Sequence, residues 1–222
     1  MPLGNGHMGV MYCPGIRIDT LNLSENTFFP GEPSRDNNRP GAAEVFRKMR
    51  QADLEGDYAG AFEYAKDFIG NRGNYGTNLP AGKLLIEYEP EPADAAGEVP
   101  FVRTLDYRRG IASVSAGIDR ELFVSHPAGA MFCRIRAKEE RTVSLTIRYD
   151  PGERPCEIMS DGMKYTFTVR AHESMHSDGK SGVTLNGTVT VSAKGGKKGN
   201  AGVRISEEGI RVYSASEVVI VL

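Results

Sequence analysis

Between residues 142 and 192 the chain switches between polar and apolar at nearly every step, in three separate runs. Val143, Leu145, Ile147 and Tyr149 alternate with Thr142, Ser144, Thr146 and Arg148. Tyr165, Phe167 and Val169 alternate with Lys164, Thr166, Thr168 and Arg170, and Val189 and Val191 with Thr188, Thr190 and Ser192. Successive side chains of a strand point to opposite faces, so each run is a strand with one face buried and the other wet, as in antiparallel sheets. Further strands are expected at 83–89, 101–107, 110–116, 119–125, 130–136, 201–206, 209–214 and 217–222. Many short strands separated by Gly, Pro and Asp turns predict a β-sandwich or a barrel.

One segment departs from this period. After Pro40, residues 42–54 place Val45, Phe46, Met49 and Ala52 on one helical face. Asp57 is an N-cap candidate for a second helix that carries Tyr58, Phe62, Ala65, Phe68 and Ile69 inward and stops at Gly70. This predicts a helical hairpin, about residues 41–70, inserted between early strands. The stretch 90–100, rich in Pro, Ala, Glu and Asp, reads as an exposed loop.

Composition excludes several classes. A chain of 222 residues buries about 70% of its unfolded surface and needs no staples. The net charge of −2 argues against nucleic acid or anionic membrane as partner. No apolar run approaches the roughly 18 residues of a membrane span, and no signal peptide opens the visible chain, which leaves localisation unassigned. Cys13, Cys133 and Cys156 are odd in number and widely spaced, which predicts free thiols. There is no Trp, the residue most used to stack a sugar, although nine Tyr could take that part.

Three short motifs suggest chemistry that their context does not support. Gly4-Asn5-Gly6-His7-Met8-Gly9 spells a dinucleotide fingerprint, but only three residues precede it and Cys13-Pro14-Gly15 would stop any following helix. His172-Glu173-Ser174-Met175-His176 spells H-E-x-x-H, but it follows the strand 164–170 and runs into a Ser177-Asp178-Gly179 turn, whereas a zinc protease needs that motif on a helix. Gly179-Lys180-Ser181 ends like a phosphate-binding loop, but the required upstream glycine is Ser174. The run 193–200 reads as a solvated hairpin connection. No cofactor and no metal are expected.

Longer stretches carry a family resemblance. Met1-Pro2-Leu3-Gly4-Asn5-Gly6-His7-Met8-Gly9-Val10-Met11 and Leu21-Asn22-Leu23-Ser24-Glu25-Asn26-Thr27 resemble the opening motifs of family 95 glycoside hydrolases, the α-L-fucosidase family. Tyr75–Tyr88, Leu105–Val114, Arg120–Pro127 and Gly209–Ile220 resemble later segments of that family in the same order. Phe28-Phe29 stands where the family has an aliphatic residue and Trp, His7 where Arg is common, and Asn26 where an acid is usual. These departures bear on sugar specificity, fucoside or galactoside.

The resemblance implies a mainly β fold: one large antiparallel β-sandwich over residues 1–222, a super-sandwich of the galactose-mutarotase-like kind, carrying the short inserted helical hairpin. It implies a catalytic (α/α)6 barrel downstream holding the inverting chemistry, so no catalytic residue is expected here. The expected partner is that C-terminal catalytic domain, and fucosylated or galactosylated glycans come next. Asn5, His7, Glu25, Asn26, Thr27, Phe28 and Phe29 are the candidates for a domain interface or a sugar-pocket rim, with both phenylalanines expected to be more exposed than core aromatics. An independent carbohydrate-binding sandwich and a non-sugar adhesion or scaffold domain are the alternative functions.

Overall fold

The computed structural model describes residues 1–32, 39–68, 77–89, 100–138, 141–175, 177, 179–195 and 201–222. These divide into two compact units. The expected loop at 90–99, the helix stop at Ile69-Gly70, the Tyr75–Gly76 part of the motif match, and Gly196–Asn200 lie outside the described residues.

The first unit comprises Met1–Phe28, Leu79–Ala171 and Thr184–Leu222. It holds fourteen strands: β1 (Pro2–Gly4), β2 (Met8–Cys13), β3 (Ile18–Glu25), β4 (Pro80–Tyr88), β5 (Val102–Asp106), β6 (Ile111–Ala116), β7 (Ile118–Ser125), β8 (Ala130–Ala137), β9 (Val143–Asp150), β10 (Cys156–Ser160), β11 (Tyr165–Arg170), β12 (Thr184–Gly195), β13 (Gly202–Ser206) and β14 (Gly209–Val221). All pair antiparallel in one curled sheet whose main path runs β1-β2-β3-β4-β9-β14-β8-β7-β6-β5. The mainly β, antiparallel expectation is met.

The long strand β14 organises this sheet. Its first half lies between β13 and β9, and its second half between β12 and β8. The change of neighbours falls where the register with β9 shifts between Val212 and Ala215, with Ser214 at φ 50°. A serine in the left-handed region is strained. Its backbone N–H is held by the Ser144 hydroxyl at 3.1 Å. The two strands expected at 209–214 and 217–222 are therefore one, because the bulge passes the chain from one ladder to the next without ending it. Strands β1 and β10 were not anticipated. Neither has a fully buried residue.

The inward faces build one core. Leu84 and Ile86 of β4, Leu145 and Ile147 of β9, Leu122 of β7 and Ile135 of β8 are fully buried. Tyr149 and Phe167 stack in this core with ring centroids 3.6 Å apart.

The second unit comprises Phe29–Asn78 and His172–Val183. It contains α1 (Ala42–Leu54) and α2 (Tyr58–Phe68), the hairpin expected from the sequence. The turn between them follows from three residues. Gly56 takes φ 80°, which glycine adopts at no steric cost. The Gly56 N–H reaches Asp53 O and the Asp57 N–H reaches Ala52 O, which closes α1 as a Schellman motif. Asp57 then caps α2 by accepting the Gly60 N–H at 2.9 Å.

The expected inward face of α2 needs correction. Tyr58 and Phe62 are 71% and 66% exposed, and the less exposed positions are Gly60, Ala61 and Ala65. The helical period is right, but the stripe turned inward is the one of small residues. On α1, Val45, Met49 and Ala52 turn inward as expected, while Phe46 is 44% exposed. The His172–Met175 segment has no helical turn, and His176 lies outside the described residues.

Candidate functional site

Strands β2, β3 and β7 carry two polar clusters, one at each end. The first is solvent-facing and gathers most of the residues expected at an interface or sugar rim. The β1–β2 turn is tied by Asn5, whose side-chain oxygen accepts the backbone N–H groups of His7 (3.0 Å) and Met8 (2.8 Å). Its amide nitrogen donates to Ser125 O at the end of β7, 3.0 Å away and 120 residues on. An asparagine that satisfies its own turn mimics a backbone bond, which fixes the glycine-rich loop.

The segment after β3 meets that turn. Met8 and Glu25 are register partners. The Asn26 N–H donates to His7 O at 3.0 Å, and its side-chain amide donates to Gly6 O at 3.1 Å. The same amide lies 3.5 Å from His7 Nδ1. Glu25 Oε2 accepts from the Thr27 N–H (2.8 Å) and hydroxyl (2.6 Å). His126, in the turn after β7, brings its ring to 6.4 Å from that of His7. His7, Asn26, Thr27 and His126 are exposed.

The two phenylalanines separate. Phe28 is fully buried in the core, which corrects its expected exposure. Its N–H donates to Glu25 O and its carbonyl accepts the Leu79 N–H at 2.9 Å, so the backbone is held while the ring fills the interior. Phe29 belongs to the second unit, is 38% exposed, and accepts the Val183 N–H.

The second cluster is buried and was missed by sequence reasoning. Asp19 of β3 and Arg120 of β7 are 0% and 1% exposed and pair at 2.6 Å, 101 residues apart. The Asp19 carboxylate also accepts from Tyr12 OH (2.8 Å), Tyr88 OH (2.7 Å) and the Gly15 N–H (3.0 Å). Arg120 donates to Gly15 O at 2.8 Å and lies over the Tyr88 ring, 4.5 Å from its centroid. A buried ion pair loses solvation that its own attraction barely repays, so it persists where further hydrogen bonds satisfy both partners. Four donors on one carboxylate meet that requirement for Asp19, whereas the Arg120 Nε is buried with no hydrogen-bond partner among the described residues.

Burial, reinforced by the Asp19 charge, pushes both the Tyr12 and Tyr88 phenols well above their ordinary range. Burial alone would lower the Arg120 guanidinium, but the Tyr88 and Asp19 oxygens facing it outweigh this and raise it. Burial likewise raises the neighbouring Cys133 thiol. The sequence did hold a signal. Asp19 begins the core-facing series Asp19, Leu21, Leu23, and Arg120 begins the series Arg120, Leu122, Val124. A charge in an apolar period-two series marks a buried partner.

Fold and sites together define a mainly antiparallel β module with a buried ionic clasp and a solvent-facing hydrogen-bonding rim. Across residues 1–222 the chain matches the family model described as glycosyl hydrolase family 65, N-terminal domain, and it belongs to that family. It is also similar to alpha-L-fucosidase 2 of Arabidopsis thaliana, 26% identical over 155 residues, covering 68% of this chain and 18% of that protein. The chain thus spans less than a fifth of the length of the curated relative that it matches.

Proposed function

We propose that residues 1–222 form a single non-catalytic N-terminal domain of a family 95-like glycoside hydrolase, in which the full-length protein hydrolyses terminal α-L-fucosidic bonds. In this reading the curled sheet closes as a galactose-mutarotase-like β-sandwich, with the helical hairpin as an insertion. It packs against and supports an (α/α)6 catalytic barrel. The fucosidase relative and the ordered opening motifs support the sugar class. The division of β14 between two sets of neighbours supports the sandwich, since one strand shared by two ladders is how a sheet can turn back on itself.

The observation that carries the reading is the rim. Two segments separated by some twenty residues are locked together by Asn5 and Asn26, yet His7, Asn26 and Thr27 keep solvent-facing polar atoms. Such a preorganised polar edge suits contact with a second domain or with sugar hydroxyls at its pocket. Phe29 remains an interface candidate on the second unit, and Phe28 does not.

The test has two arms. The 222-residue chain alone should not hydrolyse an aryl α-L-fucoside or galactoside. Turnover abolished by point changes within this chain would contradict the reading. In the intact protein, His7→Ala with Glu25→Ala should lower kcat/KM about tenfold or more, the scale of one or two lost polar contacts. The melting temperature of the isolated chain should stay nearly unchanged. Loss of the isolated fold would make these residues structural.

A further inference from the structure

On the outward face of the sheet a single row of side chains crosses four strands. Glu87 of β4 stands opposite Thr146 of β9, Thr146 opposite Arg211 of β14, and Arg211 opposite Arg204 of β13. Arg148 lies two residues along β9 from Thr146, so it shares this face, and its guanidinium pairs with Glu87. These five line a groove of about 950 Å³, together with the β10–β11 and β13–β14 turns. Small-ligand sites commonly measure about 300–1,000 Å³.

The charges in this groove are unevenly satisfied. Arg148 has its carboxylate. Arg204 and Arg211 face each other directly, an arrangement that destabilises an antiparallel pair, and neither has an acidic partner within ion-pair distance among the described residues. Glu207 and Glu208 form the exposed two-residue turn between β13 and β14, and neither makes an ion pair with either arginine. Gly209 lets β14 run close against β9 beneath this face, since a Cβ there would meet Ile147 O at 2.5 Å and Arg148 Cγ at 2.8 Å. Tyr213 follows two residues after Arg211 on the same face. It stands opposite Gly202 and is 37% exposed.

We propose that this groove binds an acidic saccharide through its oxyanion, a carboxylate or a sulfate. Arg204 and Arg211 take the anion, whose planar or tetrahedral oxygens match paired guanidinium donors. The Thr146 hydroxyl, in the same groove, meets a sugar hydroxyl. The saccharide half rests on the glycoside-hydrolase reading above, whereas the oxyanion half rests on the arginines alone.

The experiment titrates the 222-residue chain at constant ionic strength with sodium sulfate, sodium acetate, galacturonate and neutral galactose, and follows backbone amide resonances of residues 202–213. Sulfate and galacturonate should shift these amides, galacturonate should bind more tightly than acetate, and galactose should bind least. Arg204→Gln and Arg211→Gln should each weaken galacturonate about tenfold, the scale of one charge-assisted hydrogen bond. Without ligand, either change should raise the melting temperature slightly, because it removes a like-charge pair. Unmoved amides in sulfate, or binding indifferent to both arginine changes, would overturn the site. Equal affinity for acetate and galacturonate would overturn its saccharide half. Fucoside hydrolysis by the intact protein is measured separately, so either reading can fail without the other.

Discussion

The same three strands end in opposite chemistry. At one end, Tyr12 of β2, Asp19 of β3 and Arg120 of β7 close a buried clasp. At the other end, the turn before β2, Glu25 of β3 and Ser125 of β7 form the exposed rim. Asp19 and Glu25 are six residues apart, roughly 20 Å along a strand. One carboxylate has lost its water and gained four donors, and the other stays near solvent and organises a local turn. The difference teaches how to divide stability from recognition within one element. A carboxylate in the interior persists because its oxygens are paired, whereas polar groups at a strand end can keep atoms available for a partner.

The comparison breaks most sharply at Arg120. Arg120→Ala leaves Asp19 buried and short of its cation, which should cost about 3–5 kcal/mol of unfolding free energy. Chemical denaturation measures this. A double change of Asp19 and Arg120 to leucine should lose less than Arg120→Ala alone, because no orphaned charge remains. Next comes the adjacent aromatic pair. Phe28→Ala should empty a core site and cost about 3–5 kcal/mol. Phe29→Ala should cost under about 1 kcal/mol, as surface changes do. Equal losses would mean that the chain around residue 28 does not turn inward as described.

A smaller effect follows in alkali. The Tyr12 and Tyr88 phenols and the Cys133 thiol are raised above their ordinary values of 10.0 and 9.0. Their neutral forms are therefore favoured by folding. The stability that they contribute is fully present below those ordinary values. It is lost as pH rises beyond them, where the unfolded chain releases protons that the folded chain retains. Melting temperature should fall from about pH 9–10 upward, and Tyr12→Phe with Tyr88→Phe should flatten that slope. A slope unchanged by the double variant would remove the tyrosines from the account.

Much of this was legible before the structure. The run 42–54 and the cap at Asp57 were readable because helix boundaries are local chemistry. The alternation at 143–149 and 165–169 was readable because one face of each strand is buried. Asn5, His7, Glu25, Asn26 and Thr27 were readable as rim candidates from two polar clusters flanking strands, although the hand of Ser125 in holding them was not. What stayed hidden is non-local. Periodicity showed that α2 is amphipathic but not that Ala61 and Ala65, rather than Tyr58 and Phe62, turn inward. Asp19 and Arg120 each looked like ordinary members of a motif, because their pairing spans 101 residues. Phe28 and Phe29 are identical neighbours whose opposite environments follow from a turn at Glu25.

The most direct measurement makes the same isosteric change at both ends of β3. Asp19→Asn and Glu25→Gln each replace a carboxylate with an amide of the same shape, and urea denaturation reads both in the 222-residue chain. Asp19→Asn should lower the unfolding free energy by about 3–5 kcal/mol, since it breaks a buried pair. Glu25→Gln should change it by less than about 1 kcal/mol, since its turn can still be accepted by the amide oxygen. Comparable losses at the two positions would contradict the division between clasp and rim.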